Sequence, residues 1–323
     1  MDPSSPSQGI RSGEGESNAK DTVADADADG QAESLARIEA GGITIAAEQR
    51  LNALRDGGGS FTSDLSVDGF ALCHTLGLRP LSQVMGSSLY QVGYQSALGG
   101  LGSWGPLGLG GTFMVELDTL SHALNEVRSR ALGRLAEEAR HVGADAVVGV
   151  STRAGESALE TGAVTLEHVV VGTAVSRRDS RGLQPVLTEL SVADFAKLLQ
   201  AGFEPAGIVA WSAVYFAGYA YGPGTGMGEM LGPVQNFELA EFTQAFYAAR
   251  EAVMSRLGKQ AESLGAAGIV GVKVGHHAVP HAMGAGGSER KGLMVTFTAV
   301  GTAIHQHGDA PAYPPETTLD LTD

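Results

Sequence analysis

The sequence has 323 residues, of which 43% are hydrophobic, and a formal net charge of −15 at pH 7. This length suits two domains better than one, and the apolar content is sufficient for hydrophobic cores. The acidic balance offers no basic face for binding nucleic acid, and the single cysteine, Cys73, excludes an internal disulfide or a cysteine-based zinc site.

The first 60 residues are predicted to be a disordered acidic tail that contains one short amphipathic segment. Residues 1–31 are mostly Ser, Gly, Ala and Asp, which bury too little apolar surface to pack. Residues 32–56 can form a short amphipathic helix that is broken at Gly41 and Gly42. Because the chain starts without the basic and apolar regions of a secretory signal peptide, we expect a cytoplasmic protein.

An internal repeat is the strongest signal in the sequence. LSVDGFALCHTLGLRPLSQVMGSSLYQVGY (65–94) aligns without a gap with LSVADFAKLLQAGFEPAGIVAWSAVYFAGY (190–219). Two more pairs of blocks follow in the same order: HVGADAVVGV (141–150) with SLGAAGIVGV (263–272), and VVGTAV (170–175) with AVGTAI (299–304). Chance does not produce three matched blocks in one order, so the chain carries two copies of one domain.

The domain boundaries follow from this repeat. The polar, turn-prone stretch RRDSRGLQP separates the copies, and the chain ends in the acidic stretch GDAPAYPPETTLDLTD. The predicted organisation is an N-terminal tail at 1–60, a first repeat at 61–178, a linker at 179–188, a second repeat at 189–306 and a disordered acidic tail at 307–323.

The same elements are predicted in each repeat. A short leading helix starts at the S-x-x-D pattern of Ser191 and Asp194 in the second repeat, and an apolar strand and a glycine-rich loop follow it. A long amphipathic helix then leads to two strands. We predict that these strands pair antiparallel, 143–150 with 169–175 and 265–272 with 298–304.

The predicted fold class is therefore α+β. It consists of two tandem two-layer β-α-β-β domains, each with a three-stranded antiparallel sheet and one long helix. The uncharged stretch Pro205 to Gly228 imitates a membrane span, but its glycines, prolines and aromatic residues favour a buried strand and a loop. We expect no membrane partner.

The last strand of each repeat predicts self-association. VVVGTAV (169–175) is apolar at both alternating sets of positions, which indicates burial on both faces of the sheet. A three-stranded sheet also has open edges that need to be covered. Both features favour packing against other copies of the domain, so we expect a homo-oligomer.

The matched blocks resemble the YbjQ-like family, which is described as heavy-metal-binding. G-A-D-A-V-V-G-V, followed by a hairpin and V-x-G-T-A-V, carries the resemblance in the first repeat, and the second repeat has its equivalent. The resemblance implies a two-layer β-α-β-β fold that assembles into a five-membered ring, and it implies no established activity. The chain departs from the family pattern in its duplication, its leading helices, its tails and a longer hairpin loop at Ala278–Lys291.

Six glycines of the matched blocks are predicted to have structural roles rather than to contact a ligand. Two of them end the long helices, and the others serve close packing or bending of strands. They are Gly143, Gly149, Gly172, Gly265, Gly271 and Gly301.

Three histidines of the second repeat are the best candidates for ligand chemistry. His276, His277 and His281 flank the end of a strand, and imidazole suits zinc, copper or nickel. The first repeat has no matching cluster, so polar loop histidines are the alternative interpretation. A divalent transition metal is the one cofactor that the sequence suggests, and otherwise we expect none.

Catalytic patterns are missing from the sequence. It contains no G-x-S-x-G, no H-E-x-x-H, no P-loop and no C-x-x-C. A formal G-x-G-x-x-G spans Gly100 to Gly105, but Pro106 to Gly111 separate it from the next helix, which favours a flexible or interfacial loop over a dinucleotide site. We therefore expect no enzyme.

The function predicted from the sequence is a non-enzymatic, homo-oligomeric structural protein built from five-membered rings. The two copies can alternate in one enlarged ring, form two stacked rings, or occupy rings on different axes. The third arrangement gives a closed icosahedral shell of about 60 chains, whose N-terminal tails could recruit a cargo protein. The alternative is a metal- or small-ligand-binding protein that uses the histidines of the second repeat.

Overall fold

The structure is a computed structural model that describes residues 30–58, 60–92, 113–158, 164–177, 184–218, 238–283 and 290–307. Within these ranges the chain forms two four-stranded sheets, each covered by one long helix. The α+β class and the division into two β-α-β-β units are confirmed.

The first half of the chain contains two N-terminal helices and the first repeat. Its elements are α1 (30–39), α2 (Ile45–Arg55), α3 (Val67–Thr75), β1 (Leu78–Val92), β2 (Phe113–Glu116), α4 (Asp118–His141), β3 (Ala146–Ala158) and β4 (Val164–Arg177).

The second half contains one strand in the predicted linker and the second repeat. Its elements are β5 (Val186–Leu187), α5 (Val192–Gln200), β6 (Phe203–Gly218), α6 (Ala240–Ser263), β7 (Gly268–Met283) and β8 (Arg290–Gln306). The first part of the uncharged stretch is thus strand β6, and in the described part of the chain no helix is long and apolar enough to cross a membrane.

The leading helices begin where their capping residues predict. The Ser66 hydroxyl accepts a hydrogen bond from the Gly69 N–H at the start of α3, and the Ser191 hydroxyl accepts one from the Asp194 N–H at the start of α5. Each of these caps satisfies an N–H that has no partner within its helix and contributes about 1 kcal/mol.

The long helices bury one apolar stripe against their own sheets. In α4 the stripe includes Val127, Ala131, Leu135 and Ala139, all at most 1% exposed. Full burial of a leucine such as Leu135 contributes about 1.5–3 kcal/mol, so this stripe explains why the amphipathic segment is held as a helix.

A hydrogen bond also joins each long helix to the first long strand of its own repeat. The Met85 N–H in β1 donates to Glu138 Oε2 at 2.9 Å, and the Ala210 N–H in β6 donates to Gln260 Oε1 at 2.9 Å. Glu138 and Gln260 occupy equivalent positions in the two helices. The repeat therefore extends from the sequence to individual side-chain contacts.

The predicted strand pairings are confirmed in both repeats. β3 and β4 pair antiparallel from Ala146 with Val175 onwards, and β7 and β8 pair antiparallel from Gly268 with Ile304 onwards. The strand orders are β1-β4-β3-β5 and β2-β6-β8-β7.

The prediction of three strands in each sheet was wrong, because each sheet gains a short fourth strand. β2 belongs to the first repeat but pairs with β6 of the second, and β5 in the predicted linker pairs in parallel with β3 of the first. An open sheet edge exposes unpaired N–H and C=O groups, and these short strands cover part of such an edge. The stretch 179–188 is thus partly built into the first sheet.

Helices α1 and α2 lie where the sequence indicates the amphipathic segment of the N-terminal tail, residues 32–56. The predicted break at Gly41 and Gly42 separates the two helices. Leu51 is fully buried in the core of the first repeat, together with Ile43, Leu135 and Ala139. These apolar side chains give the segment a packing partner that its polar composition does not indicate.

The six glycines predicted to be structural lie at helix ends, bulges and close approaches. Gly149 and Gly271 adopt φ values of 64° and 63° where the strand register shifts by a bulge. A Cβ atom on Gly172 would lie 2.6 Å from Val147 Cγ1. The rest of the set are Gly143 and Gly265, which follow the long helices with φ of 73° and 67°, and Gly301, which faces Ile269 as Gly172 faces Val147.

The close approach at Gly172 predicts a strong effect of its substitution. We expect Gly172→Ala to lower the free energy of unfolding by about 1–3 kcal/mol, because a side chain there forces the well-packed valines of β3 apart. Urea unfolding followed by circular dichroism measures this change.

The matched control is Gly133→Ala in the exposed middle of α4, where a new Cβ has no neighbour within 4 Å. This substitution should raise stability by about 0.5–1 kcal/mol through helix propensity alone. Equal unfolding midpoints for the two variants would show that Gly172 is not required for close packing.

Candidate functional site: the contact between the two repeats

The N-terminal end of α4 lies along the outer edge of the second sheet. Just before the helix, β2 pairs with Tyr215–Gly218 of β6, and the Leu117 N–H donates to the Val214 carbonyl at 2.8 Å. Strand pairing thus leads directly into the helix. The first repeat supplies an extra strand and then a helix to an edge of the second.

Polar side chains of α4 continue the strand pairing where β2 ends. Ser121 Oγ accepts a hydrogen bond from the Val214 N–H at 2.9 Å. Asn125 accepts from the Ser212 N–H and donates to the Ser212 carbonyl, both at 2.8 Å. An amide side chain has the same donor and acceptor as a peptide group, so Asn125 replaces one residue of a missing neighbouring strand.

A buried arginine completes this row of contacts. Arg128 Nη2 donates to Ser212 Oγ at 2.6 Å, and Nη1 donates to Asn125 Oδ1 at 2.9 Å. The same Ser212 hydroxyl lies 2.7 Å from Thr298 Oγ1 in β8. Burial lowers the pKa of Arg128 to about 10, and the nearby Glu189 carboxylate acts in the opposite direction. The guanidinium remains charged at neutral pH inside the contact.

Apolar side chains from both repeats fill the space beneath these hydrogen bonds. The cluster is continuous across the contact, so the two domains share part of one hydrophobic core. Its buried members are Val92, Leu117, Leu120, Ala123, Val127, Leu166, Val214 and Phe216.

The segment before α5 forms a second part of the contact. Gly149 and Val150 in β3 donate their N–H groups to the carbonyls of Leu190 at 2.9 Å and Thr188 at 3.0 Å. The Thr188 N–H donates to the Val147 carbonyl at 3.0 Å. The leading segment of the second repeat therefore joins the free edge of the first sheet.

Three ionisable side chains are buried at this contact: Arg128, His168 and Glu189. Burial, and secondarily the charge of Arg128, lowers the pKa of His168 to about 4, so His168 is neutral at physiological pH. Burial raises the pKa of Glu189, against the opposing effects of Lys273 and Arg128. Among the described residues, Arg128 Nε, His168 Nε2 and Glu189 Oε2 are buried atoms without a hydrogen-bond partner.

The three candidate metal ligands lie on β7. His276 packs edge-on against Phe246 of α6, and His281 packs edge-on against Phe216 of β6. His276 and His277 are neighbours in a strand, so their side chains point to opposite faces. Across the described ranges no three His, Cys, Asp or Glu side chains form a group that could hold a metal ion. The metal site stays a prediction.

Other sequence features fall outside what the structure describes. Gly100 to Gly105, with the formal G-x-G-x-x-G, lies outside the described residues, as do 1–29 and 308–323. The residues of the contact, by contrast, were missed by the sequence analysis. In the sequence Asn125 is an ordinary polar position on an amphipathic helix, and no local pattern indicates its hydrogen bonds with Ser212.

Comparison with known proteins identifies what the chain is similar to. The model of a family described as "Putative heavy-metal-binding", YbjQ_1, matches residues 109–178 and 207–307, together just over half of the chain. The "Encapsulin nanocompartment protein Rv1762c" of Mycobacterium tuberculosis is 33% identical over 270 residues, which cover 81% of this chain and 92% of that protein. No solved structure matches the chain.

The burial of His168 predicts that part of the protein's acid sensitivity depends on this side chain. Its pKa is about 4 in the folded protein and about 6.5 in the unfolded chain, so the unfolded chain binds more protons between these values. Stability is therefore lost as the pH falls from about 6.5 towards 4, by up to about 3 kcal/mol.

Replacing His168 with phenylalanine should remove this loss. The equivalent position in β8 is Phe297, which is 8% exposed, so the fold already holds a phenyl ring there. Denaturant unfolding at about pH 7 and about pH 4.5 should show a smaller decrease in stability for His168→Phe than for the wild type. If both proteins lose the same free energy, His168 does not contribute to the acid sensitivity.

Proposed function

This chain belongs to the YbjQ-like family, whose domain it carries twice in tandem, and from this membership we propose that it is a non-enzymatic structural protein that assembles into a closed shell. The observation that carries the proposal is the similarity to a nanocompartment protein along most of both chains. An alignment of 270 residues is too long to be accounted for by one repeat alone.

Exposed apolar residues on the sheet edges support self-assembly. Leu89 and Met85 on β1 are 69% and 49% exposed, and Val274 on β7 is 55% exposed. Edge strands with apolar side chains bind further strands or helices unless they are covered, and they are a liability in a free monomer. Other copies of the same chain would cover them in a shell.

We further propose that five chains surround each five-fold axis of the shell. The resemblance to a ring-forming family supports rings of five, and five-fold axes in different directions require an icosahedral set of about 60 chains. A single enlarged ring and two stacked rings, neither of which closes into a shell, are the alternatives. The contact between the repeats is compatible with any of these, because it defines how copies meet and not how many chains close the assembly.

We propose that the shell assembles in the cytoplasm and that the N-terminal tail has a separate role there. Residues 1–31 are acidic and rich in small polar residues, a composition typical of segments that bind partners without folding by themselves. We propose that this tail recruits a cargo protein. A pull-down with a tail-deleted control would identify that cargo.

Light scattering and negative-stain electron microscopy of the purified full-length chain test the shell. We expect closed particles of uniform size that contain on the order of 60 chains. A monodisperse monomer of 33.1 kDa would contradict self-assembly, whereas flat or stacked rings would leave assembly intact and contradict the closed shell.

The second candidate function is metal binding at His276, His277 and His281, which the description of the family supports. Protein purified without a polyhistidine tag should contain zinc, copper or nickel, and added metal should raise its melting temperature, because a folded site binds metal and the unfolded chain does not. The triple alanine variant should lose both effects. If the wild-type protein contains no metal and added zinc or copper leaves its melting temperature unchanged, these histidines form no metal site.

A further inference from the structure

We propose that the contact between the two repeats of one chain is formed again between chains, by the second repeat of one chain and the first repeat of the next. This inference rests on the proposed self-assembly and names the surfaces that perform it. The donor surface consists of α6 and β7. The acceptor surface consists of the outer edge of β1 and the segment 61–65.

The long helix of the second repeat leaves exposed the positions that α4 buries in the contact. Leu117 is 6% exposed, and its equivalent Leu239 is 43% exposed. Arg128 is 6% exposed, whereas the side chain of its equivalent Arg250 is 53% exposed. Tyr247, the equivalent of Asn125, is 62% exposed. The face of α6 that corresponds to the docking face of α4 is therefore uncovered in one chain.

The strand that would receive α6 is uncovered in the same way. Val214 of β6 is fully buried under α4, but its equivalent Leu89 of β1 is 69% exposed. Along this edge the Gln83 N–H donates to the Thr62 carbonyl and the Met85 N–H donates to Glu138. By the alternation of a strand, the amides of Ser87 and Leu89 point to the same open edge. Ser87 is the equivalent of Ser212, which binds Asn125 and Arg128.

The equivalent strands β3 and β7 show the same difference in exposure. Val150 of β3 is 1% exposed beneath the leading segment of the second repeat, and its equivalent Val272 of β7 is 37% exposed. Gly149 donates its N–H to Leu190. Gly271 has nearly the same φ as Gly149, and in the proposed contact its N–H takes the equivalent role towards a second chain.

The segment that would pair with β7 is already held in place. The Asp64 N–H donates to Thr173 Oγ1, and in the second repeat the equivalent Glu189 N–H donates to the equivalent Thr302 Oγ1. Residues 61–65 therefore pack against the first repeat in the same way that residues 186–190 pack against the second repeat. The carbonyl of Leu65 corresponds to the carbonyl of Leu190 that accepts from Gly149.

The side chains at the proposed contact can form hydrogen bonds equivalent to those within the chain. Tyr215 donates its hydroxyl to Glu116 Oε2 at 3.1 Å within the chain, and the equivalent pair across chains is Tyr90 with Glu238. Arg250 corresponds to Arg128 and meets the hydroxyl of Ser87. The Ser87 carbonyl already accepts from Arg134, and because a carbonyl oxygen has two lone pairs it can also accept from the hydroxyl of Tyr247.

The contact is head-to-tail, because the donor and acceptor surfaces differ. A head-to-tail contact generates a ring when it closes, and any ring formed in this way holds equal numbers of first and second repeats. Five chains then contribute ten domains. Both copies then alternate around one enlarged ring, and a closed shell requires further contacts between such rings.

Engineered disulfides test the contact. In the double variant Ser87→Cys and Tyr247→Cys, mild oxidation of the assembled protein should link neighbouring chains, because the equivalent residues Ser212 and Asn125 are in direct hydrogen-bonding contact. A non-reducing gel should show a ladder whose last band gives the number of chains in a ring. The native Cys73 is fully buried and should not take part.

Two further pairs control this experiment. Asn125→Cys with Ser212→Cys should link within the chain and leave one band at the mass of the monomer. Arg153→Cys with Tyr247→Cys should give no ladder, because the exposed Arg153 lies outside the proposed contact. If particles form but oxidation gives no ladder, the inferred contact is wrong and the proposed shell is not affected. If the wild-type protein forms no particles, both the proposed function and the inference are wrong.

A charge reversal gives a second test if the cysteine variants do not fold. Arg250→Glu should reduce the assembled fraction at least about tenfold, since it places a carboxylate where the contact requires a hydrogen-bond donor. Lys259→Glu makes the same charge change on the opposite face of α6 and should leave assembly unchanged. Equal assembly of both variants would exclude this face of α6 from the contact between chains.

Discussion

The open edge of a β-sheet needs hydrogen-bond partners, and in this protein the edge of β6 finds them on a helix of the other repeat. β2 supplies backbone partners, and Ser121 and Asn125 then supply side-chain partners for Val214 and Ser212. The position of α4, the shared apolar cluster and the burial of Arg128 all depend on this edge being covered. The two repeats therefore form one unit.

The buried charge in this contact contributes to specificity more than to stability. Moving a guanidinium out of water is costly, and Arg128 recovers that cost only with its hydrogen bonds to Ser212 and Asn125 in place. A displaced helix would leave the charge buried without those partners. The relative position of the repeats is thus held to one geometry, as the proposed shell requires.

In the proposed ring, duplication allows the contact within a chain and the contact between chains to differ in chemistry. Within the chain the central residue of the docking helix is Asn125, whose amide fits a strand edge closely, and in the second repeat Tyr247 takes its place. Under the proposed docking, the tethered contact uses the smaller group and the contact between chains uses a large aromatic residue. Aromatic residues are enriched at the centres of protein interfaces because they bury much area at a low entropic cost.

The helices, strands and helix caps of this protein follow from local patterns in its sequence. Each repeated block, the caps at Ser66 and Ser191, the stripe on α4 and the bulge glycines Gly149 and Gly271 are patterns within about 30 residues, where chain connectivity and periodicity act directly. The tertiary structure alone decided the exchange of β2 and β5 between the sheets, the burial of Leu51 and the pairing of Asn125 with Ser212. The pairing of β2 with β6 joins residues as much as 105 positions apart, Phe113 with Gly218. Such contacts depend on which sheet edge is open after folding. An open edge is a property of the assembled sheet, and no stretch of sequence encodes it locally.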